Sequence, residues 1–208
     1  MSDHVPVISY PAELRRKALH LGALVVPLAI LWLGRDVLWL FVPGAVLAVV
    51  GDVARARSAG ARAWLHNLFG GLMRPEEMPP LDGPVTLNGA TWMTIAAALC
   101  TALFSPPVAA AALAMQMVGD GAAAVVGRRF GQNRWPGSYK SVEGSIAMTV
   151  SAWGIGLAVG LWPGAGLTPA VLAVGAVVAA VAEAIPIPLN DNVRVPLAAG
   201  LAMALLVA

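Results

Sequence analysis

Residues 119–145 read GDGAAAVVGRRFGQNRWPGSYKSVEGS. The stretch opens at the end of one apolar run and closes at the start of another. Between those runs it gathers Asp120, Arg128, Arg129, Arg134 and Lys140, with glycine at 119, 121, 127, 131, 137 and 144. Such a segment predicts two apolar helices joined on one face by a polar loop. The rest of the chain extends this pattern.

Hydrophobic residues make up 59% of the 208 and charged residues 12%, and the mean hydropathy is +0.77. A soluble domain carries about a quarter charged residues, so the composition predicts an all-α, polytopic membrane protein. Residues 1–208 read as a single integral membrane domain. The lone cysteine, Cys100, lies in an apolar run, which excludes a disulfide framework and predicts small apolar filler. A formal charge of +2 does not imply nucleic acid. The basic groups cluster at membrane edges, and no basic surface interleaved with aromatics is left to bind it.

About seven spans are expected. The first covers residues 12–34; its basic start resembles a signal peptide, but no small-residue cleavage site follows, so a retained span is expected. Residues 37–52, 88–104 and 108–127 form the next three. A loop at 128–141 leads to a fifth span at 142–162, a sixth at 170–185 and a seventh from 197 onward. Residues 61–73 predict a short amphipathic helix on the cytoplasmic surface, with Trp64, Leu65, Leu68, Phe69 and Leu72 near one face. Seven spans with a cytoplasmic N-terminus leave only Arg35 of the 13 basic residues outside, as the positive-inside rule requires. The working face is then the cytoplasmic face of the cell membrane. Gly156, Gly160 and Gly164, four apart, predict close helix packing.

Charges at the apolar edges nominate a site. An ionised acid at membrane depth costs about 2.5 to 3.5 kcal/mol, so Asp120 reads as an acid paired with Arg128 or Arg129, or as a ligand for Mg²⁺ with phosphate. Gly119 and Gly121 would let phosphate approach the backbone. Lys140 and Ser141 open a helix, followed by Gly144 and Ser145; a helix start favours phosphate, and a basic loop end is the plainer reading. Glu183 ends an apolar span and needs a partner for the same reason. Asp191 and Asn192 read as a turn or as part of the same site. His20 shares a helical face with Arg16 and Lys17. Arg74, Glu76 and Glu77 read as ion pairs or as site residues.

The motif G-D-G-A-A-A-V-V-G-R-R-F-G followed by K-S-V-E-G-S-I-A-M resembles the CTP-dependent polyprenol and phytol kinase family, which includes dolichol kinase and the CTP-dependent diacylglycerol kinase. R-K-A-L-H in the first span, R-P-E-E before N-G-A-T-W, and E-A-I-P-I-P-L-N-D-N near the end match in order. The resemblance implies a membrane kinase that transfers the terminal phosphate of CTP, or a related nucleoside triphosphate, to a lipid alcohol such as phytol, dolichol or another polyprenol. It implies a nucleotide site of Gly119, Gly121, Arg128, Arg129, Lys140, Ser141, Gly144, Ser145 and Asn192. Asp120, Glu183 and Asp191 would hold Mg²⁺ and, with Lys140, carry the chemistry. Arg16, Lys17, His20, Arg74, Glu77 and Asn88 would contact substrate or phosphate. A homodimer is an assembly open to such a chain.

Two positions depart from the phytol kinase pattern: Ala124 stands where an acid is usual, and Glu143 where a small residue is. Glu143 leans toward phosphatidate cytidylyltransferase, which transfers a nucleotidyl group and makes a CDP-lipid. A small transporter is the non-enzyme alternative, and a purely structural subunit is another. A transporter would set acids near mid-bilayer, whereas these crowd one edge.

Overall fold

The computed structural model describes residues 21–69 and 80–207. Among them are eight α-helices and no strand: α1 (Val25–Leu33), α2 (Leu38–Arg57), α3 (Ala59–Phe69), α4 (Gly89–Leu103), α5 (Pro106–Phe130), α6 (Val142–Gly160), α7 (Pro169–Ala184) and α8 (Asp191–Val207). A 3₁₀ turn, Gly34–Val37, joins α1 to α2. Gly34 has φ 59°, a left-handed conformation that glycine adopts without strain, and it bends the chain there.

Helix α5 is the centre of the bundle. Ser105 precedes it, and Pro106 and Pro107 fill its first positions, where a missing N–H costs nothing. Every residue from Val108 to Met117 is buried, because α1, α4, α6, α7 and α8 all pack on it. Four consecutive alanines, Ala109 to Ala112, let the neighbours come close on all sides. The tightest seam is with α6: a Cβ on Gly119 would lie 2.9 Å from Met148 Cγ, and one on Gly144 3.1 Å from the Ala123 carbonyl. Large apolar side chains point outward instead, with Trp39 85% and Leu47 70% exposed. A lipid-facing surface explains an apolar exterior of this kind.

Three described stretches are long and apolar enough to cross a membrane: Val25–Arg57, Pro106–Phe130 and Val142–Gly160. Gly89–Leu103 and Pro169–Ala184 are apolar but shorter. The helices corresponding to the expected second to seventh spans are all present, and three stretches meet the length for a crossing.

The two ends of the bundle differ in chemistry. At one, Arg35 donates to the carbonyls of Ala102 (3.0 Å) and Phe104 (3.3 Å), satisfying acceptors at the C-terminus of α4. At the other, the end of α2 meets the start of α4, so these helices run antiparallel. The starts of α4, α6 and α8 and the ends of α5 and α7 share this second, polar end.

Several expected boundaries move. Helix α5 runs on to Phe130, so Arg128 and Arg129 lie on its last turn rather than in the loop; Gly131 N–H closes it on the Gly127 carbonyl at 3.1 Å. Helix α8 starts at Asp191, not at residue 197. The Asn190 side chain accepts from Asn192 N–H at 3.0 Å and caps the helix, and Pro196 is carried inside. Gly156 and Gly160 pack as expected, with a Cβ on Gly160 falling 2.9 Å from Leu172. Gly164, in contrast, lies in the turn after α6 and has no part in the seam. Helix α3 covers most of the expected amphipathic segment and leaves Trp64 and Leu68 exposed; the rest of that segment lies outside the described residues.

Candidate functional site

The loop at 131–141 folds back on itself before α6 begins. Ser138 N–H donates to the Trp135 carbonyl at 3.0 Å, with Pro136 and then Gly137 at φ 70° between them. Pro followed by a positive-φ glycine is the signature of a type II turn. Flanking it, Trp135 N–H donates to Lys140 O (3.1 Å) and Val142 N–H to Asn133 O (2.9 Å). Trp135 Nε1 donates to Ser145 Oγ at 3.0 Å, and the Arg134 guanidinium donates to the Tyr139 carbonyl. Asn133 donates through Nδ2 to Glu143 Oε1 at 2.8 Å and through its N–H at 3.2 Å. Lys140 therefore leaves a braced loop, and Glu143 has a local partner.

From that position the Lys140 ammonium forms an ion pair with Glu183 and lies 3.7 Å from Asp191 Oδ2. The Glu183 side chain is 3% exposed and that of Asp191 34%. Asp120 is close enough that its charge acts on Glu183, as does that of Asp191. Lys140 before α6, Glu183 at the end of α7 and Asp191 opening α8 thus meet at one end of the bundle, and the charge of Asp120, in the second half of α5, reaches Glu183. Burial pushes the Lys140 ammonium down, but the Glu183 carboxylate beside it, with a smaller push from Asp191, holds it above its ordinary value.

The Ser141 hydroxyl is buried and turned into its own helix, accepting from Gly144 N–H at 3.1 Å. With Val142 N–H on Asn133 and Ser145 N–H on Ser141 O, these first-turn amides of α6 are already satisfied. An anion here would meet Lys140 and the helix dipole rather than those N–H groups. Gly119 and Gly144 serve the α5–α6 seam. Gly121 differs: it is buried, yet a Cβ added to it meets nothing within 4 Å. Space beside Asp120 is open at that glycine alone of the G-D-G pair. Arg128 and Arg129 are exposed on the last turn of α5, and the Arg129 guanidinium lies 5.3 Å from the Phe130 ring centre.

Asn192 lies between α5 and α4: its Oδ1 accepts from Gln116 Nε2 at 2.9 Å, and its Nδ2 faces the Gly89 carbonyl at 3.5 Å. Asn88 caps α4 by accepting from the N–H groups of Ala90 and Thr91. It also donates to Asp52 through its N–H (2.9 Å) and Nδ2 (2.8 Å). Thr91 Oγ1 and Arg55 Nη2 each donate to Asp52 at 2.7 Å. Asp52 and Arg55 are 2% and 3% exposed. By sequence Asp52 ends a span and Arg55 is one of the basic residues of the cytoplasmic side, and Gln116 is not among the candidates. A polar residue one helical turn before Asp120 was the available signal. Arg16, Lys17, His20, Arg74, Glu76 and Glu77 lie outside the described residues.

Among the described residues no group of three or more His, Cys, Asp or Glu side chains is placed to hold a metal ion. Lys140 occupies Glu183. Asp120 and the part-exposed Asp191 are the carboxylates left that could hold a magnesium ion, which needs only one or two carboxylates when phosphate and water supply its other ligands.

No family model and no solved structure matches the chain. It is similar to an uncharacterized protein of Rickettsia prowazekii, 26% identical over 189 residues that cover 89% of this chain and 90% of that protein. It is also similar to the phytol kinase of a Synechocystis strain, 33% identical over 153 residues, 69% of this chain and 57% of that enzyme. The chain thus spans little more than half the length of that relative. At the level of sequence, this similarity supports a relationship to phytol kinase-like proteins.

Proposed function

We propose that the chain is a membrane kinase that transfers the terminal phosphate of a nucleoside triphosphate, CTP in the first instance, to the hydroxyl of an isoprenoid alcohol. One observation carries the reading: the Lys140 ammonium lies between the carboxylates of Glu183 and Asp191, and Asp120 is the third acid whose charge reaches this cluster. Phosphoryl transfer depends chiefly on positioning and on charge aimed at the transferring group. Lys140 supplies positive charge on a braced loop, and Glu183 holds it in place. Asp120 and Asp191 would hold Mg²⁺, which when bound neutralises phosphate charge. The alcohol oxygen bonds to the terminal phosphorus, the bond to the bridging oxygen breaks, and the nucleoside diphosphate leaves. Asp191, a third exposed, is the carboxylate with room to take the hydroxyl proton.

Glu143, the position that leaned toward nucleotidyl transfer, uses its carboxylate on Asn133, which supports the kinase over the cytidylyltransferase. The test is terminally labelled CTP supplied with a panel of lipid alcohols, the products read by mass spectrometry. A phosphorylated alcohol is expected, lost in Asp120→Asn and Lys140→Ala and on chelation of divalent cations. Full activity in both variants, or a CDP-lipid product, would overturn the reading.

A further inference from the structure

Gln116 is 3% exposed in the middle of an apolar helix, four residues before Asp120 and so on the same face. The way its amide is used can be read from its neighbours. The Gly89 carbonyl can only accept, so the Asn192 group facing it at 3.5 Å is the Nδ2 donor. That leaves Asn192 Oδ1 toward Gln116, and Gln116 meets it with Nε2 at 2.9 Å. The chain of amides runs in one direction only, and it ends on Gln116 Oε1. That oxygen is buried and has no hydrogen-bond partner among the described residues. A buried amide acceptor without a donor costs about 1–3 kcal/mol, so among the described residues the site lacks one specific thing: a hydrogen-bond donor.

Position narrows what the donor is. Helix α5 runs toward the polar end, so Gln116 lies about 6 Å deeper than Asp120, one turn into the apolar interior. Met115 and Met117 flank it in the buried stretch. A ligand reaching this depth needs an apolar body, and its polar group must donate.

Resting on the kinase reading above, we propose that Gln116 Oε1 accepts the hydrogen bond of the acceptor alcohol, making Gln116, held by Asn192, the residue that seats the lipid hydroxyl. A hydroxyl that donates to the amide in the resting complex keeps its oxygen lone pairs free toward the phosphate end of the site; its one O–H turns from Gln116 to Asp191 as the bond to phosphorus forms. No bond is made or broken at Gln116, and an amide carbonyl takes no proton at neutral pH. Its work is to orient, and to select an alcohol over an ether or ester of the same chain.

The experiment compares binding of geranylgeraniol and of its O-methyl ether by the full chain in detergent micelles. The two share an apolar chain, but the ether has no donor. Wild type is expected to prefer the alcohol by about three- to tenfold, the effect of one hydrogen bond. Gln116→Met, similar in shape without the acceptor, should lose the preference while its affinity for the ether is unchanged. Equal binding of both by wild type would overturn the proposal without any variant having to fold. A preference that survives in Gln116→Met would overturn it too, and a bound water then satisfies Oε1. Phosphorylation with no such preference sinks the seat and keeps the kinase. A Gln116-dependent preference without phosphorylation does the reverse.

Discussion

Lys140 and Glu183, 43 residues apart in sequence, form an ion pair that fastens the loop before α6 to the end of α7. Glu183 is almost fully buried and Lys140 largely so. Removing one partner of a buried pair leaves an uncompensated charge and costs about 3–5 kcal/mol, whereas replacing both is far milder. Lys140→Met should therefore lower the unfolding midpoint sharply, and Lys140→Met with Glu183→Gln should recover most of it. Activity should recover in neither. Thermal unfolding in detergent beside labelled phosphate transfer checks both halves; a double variant with normal turnover would remove Lys140 from the chemistry.

The pair also has a pH signature. The folded state holds the Lys140 ammonium above its ordinary value of 10.5, so folding is coupled to keeping that proton. The stabilisation is fully present below the unfolded value and is lost as pH rises through the higher folded value. Between pH 7 and 9, the midpoint gap between wild type and Lys140→Met should stay constant, and it should narrow only above about 10.5. A gap that closes near neutrality would show that another group is responsible.

Glycines of the G-D-G segment should separate by role. In Gly119→Ala the new Cβ falls 2.9 Å from Met148 Cγ, and overpacking of this kind costs about 1–3 kcal/mol. Gly121→Ala meets nothing within 4 Å and should leave the midpoint unchanged or slightly raised. Its effect should appear instead as a higher KM for the nucleotide. An unchanged KM in Gly121→Ala would mean that the space at Gly121 has no role in binding.

Asp52 accepts from Arg55, Thr91 and twice from Asn88. Asp52→Ala leaves Arg55 buried beside an emptied site and should cost about 3–5 kcal/mol. Asn88→Ala removes a cap, at about 1 kcal/mol, together with a partner of Asp52. Because Asn88 precedes Gly89, which faces Asn192, the smaller lesion should still disturb turnover. Unfolding and initial rates measured on one preparation distinguish the two effects.

What the sequence revealed follows from cost. Asp120, Lys140, Glu183 and Asp191 stood out as candidates because a charge at the edge of an apolar run is costly without a partner, and Lys140 does pair with Glu183 and Asp191. Ser141 and Gly144 are harder to read, since a Lys-Ser pair at a helix start looks the same whether its amides face a ligand or its own loop; here the Ser141 hydroxyl caps its own helix. Residue 191 was missed as a helix start because Pro196 looks like a breaker; only the Asn190 cap shows that the helix begins before it. Gln116 carries no charge to betray it. The Asp52–Arg55 pair looks like surface charge until Asn88 and Thr91 arrive from more than thirty residues away, a contact that no local pattern encodes.

The seam between α5 and α6 bears on how the molecule assembles. These two helices are neighbours in sequence, joined by a braced loop and drawn together at Gly119 and Gly144. Contacts local in sequence close sooner than distant ones, so this hairpin should form early in folding, with the Asp120 helix and the Lys140 loop already joined. The α7–α8 hairpin brings Glu183 and Asp191 only when it docks. Closure of the Lys140–Glu183 pair is then a late event, one that marks a chain whose second half has found its place.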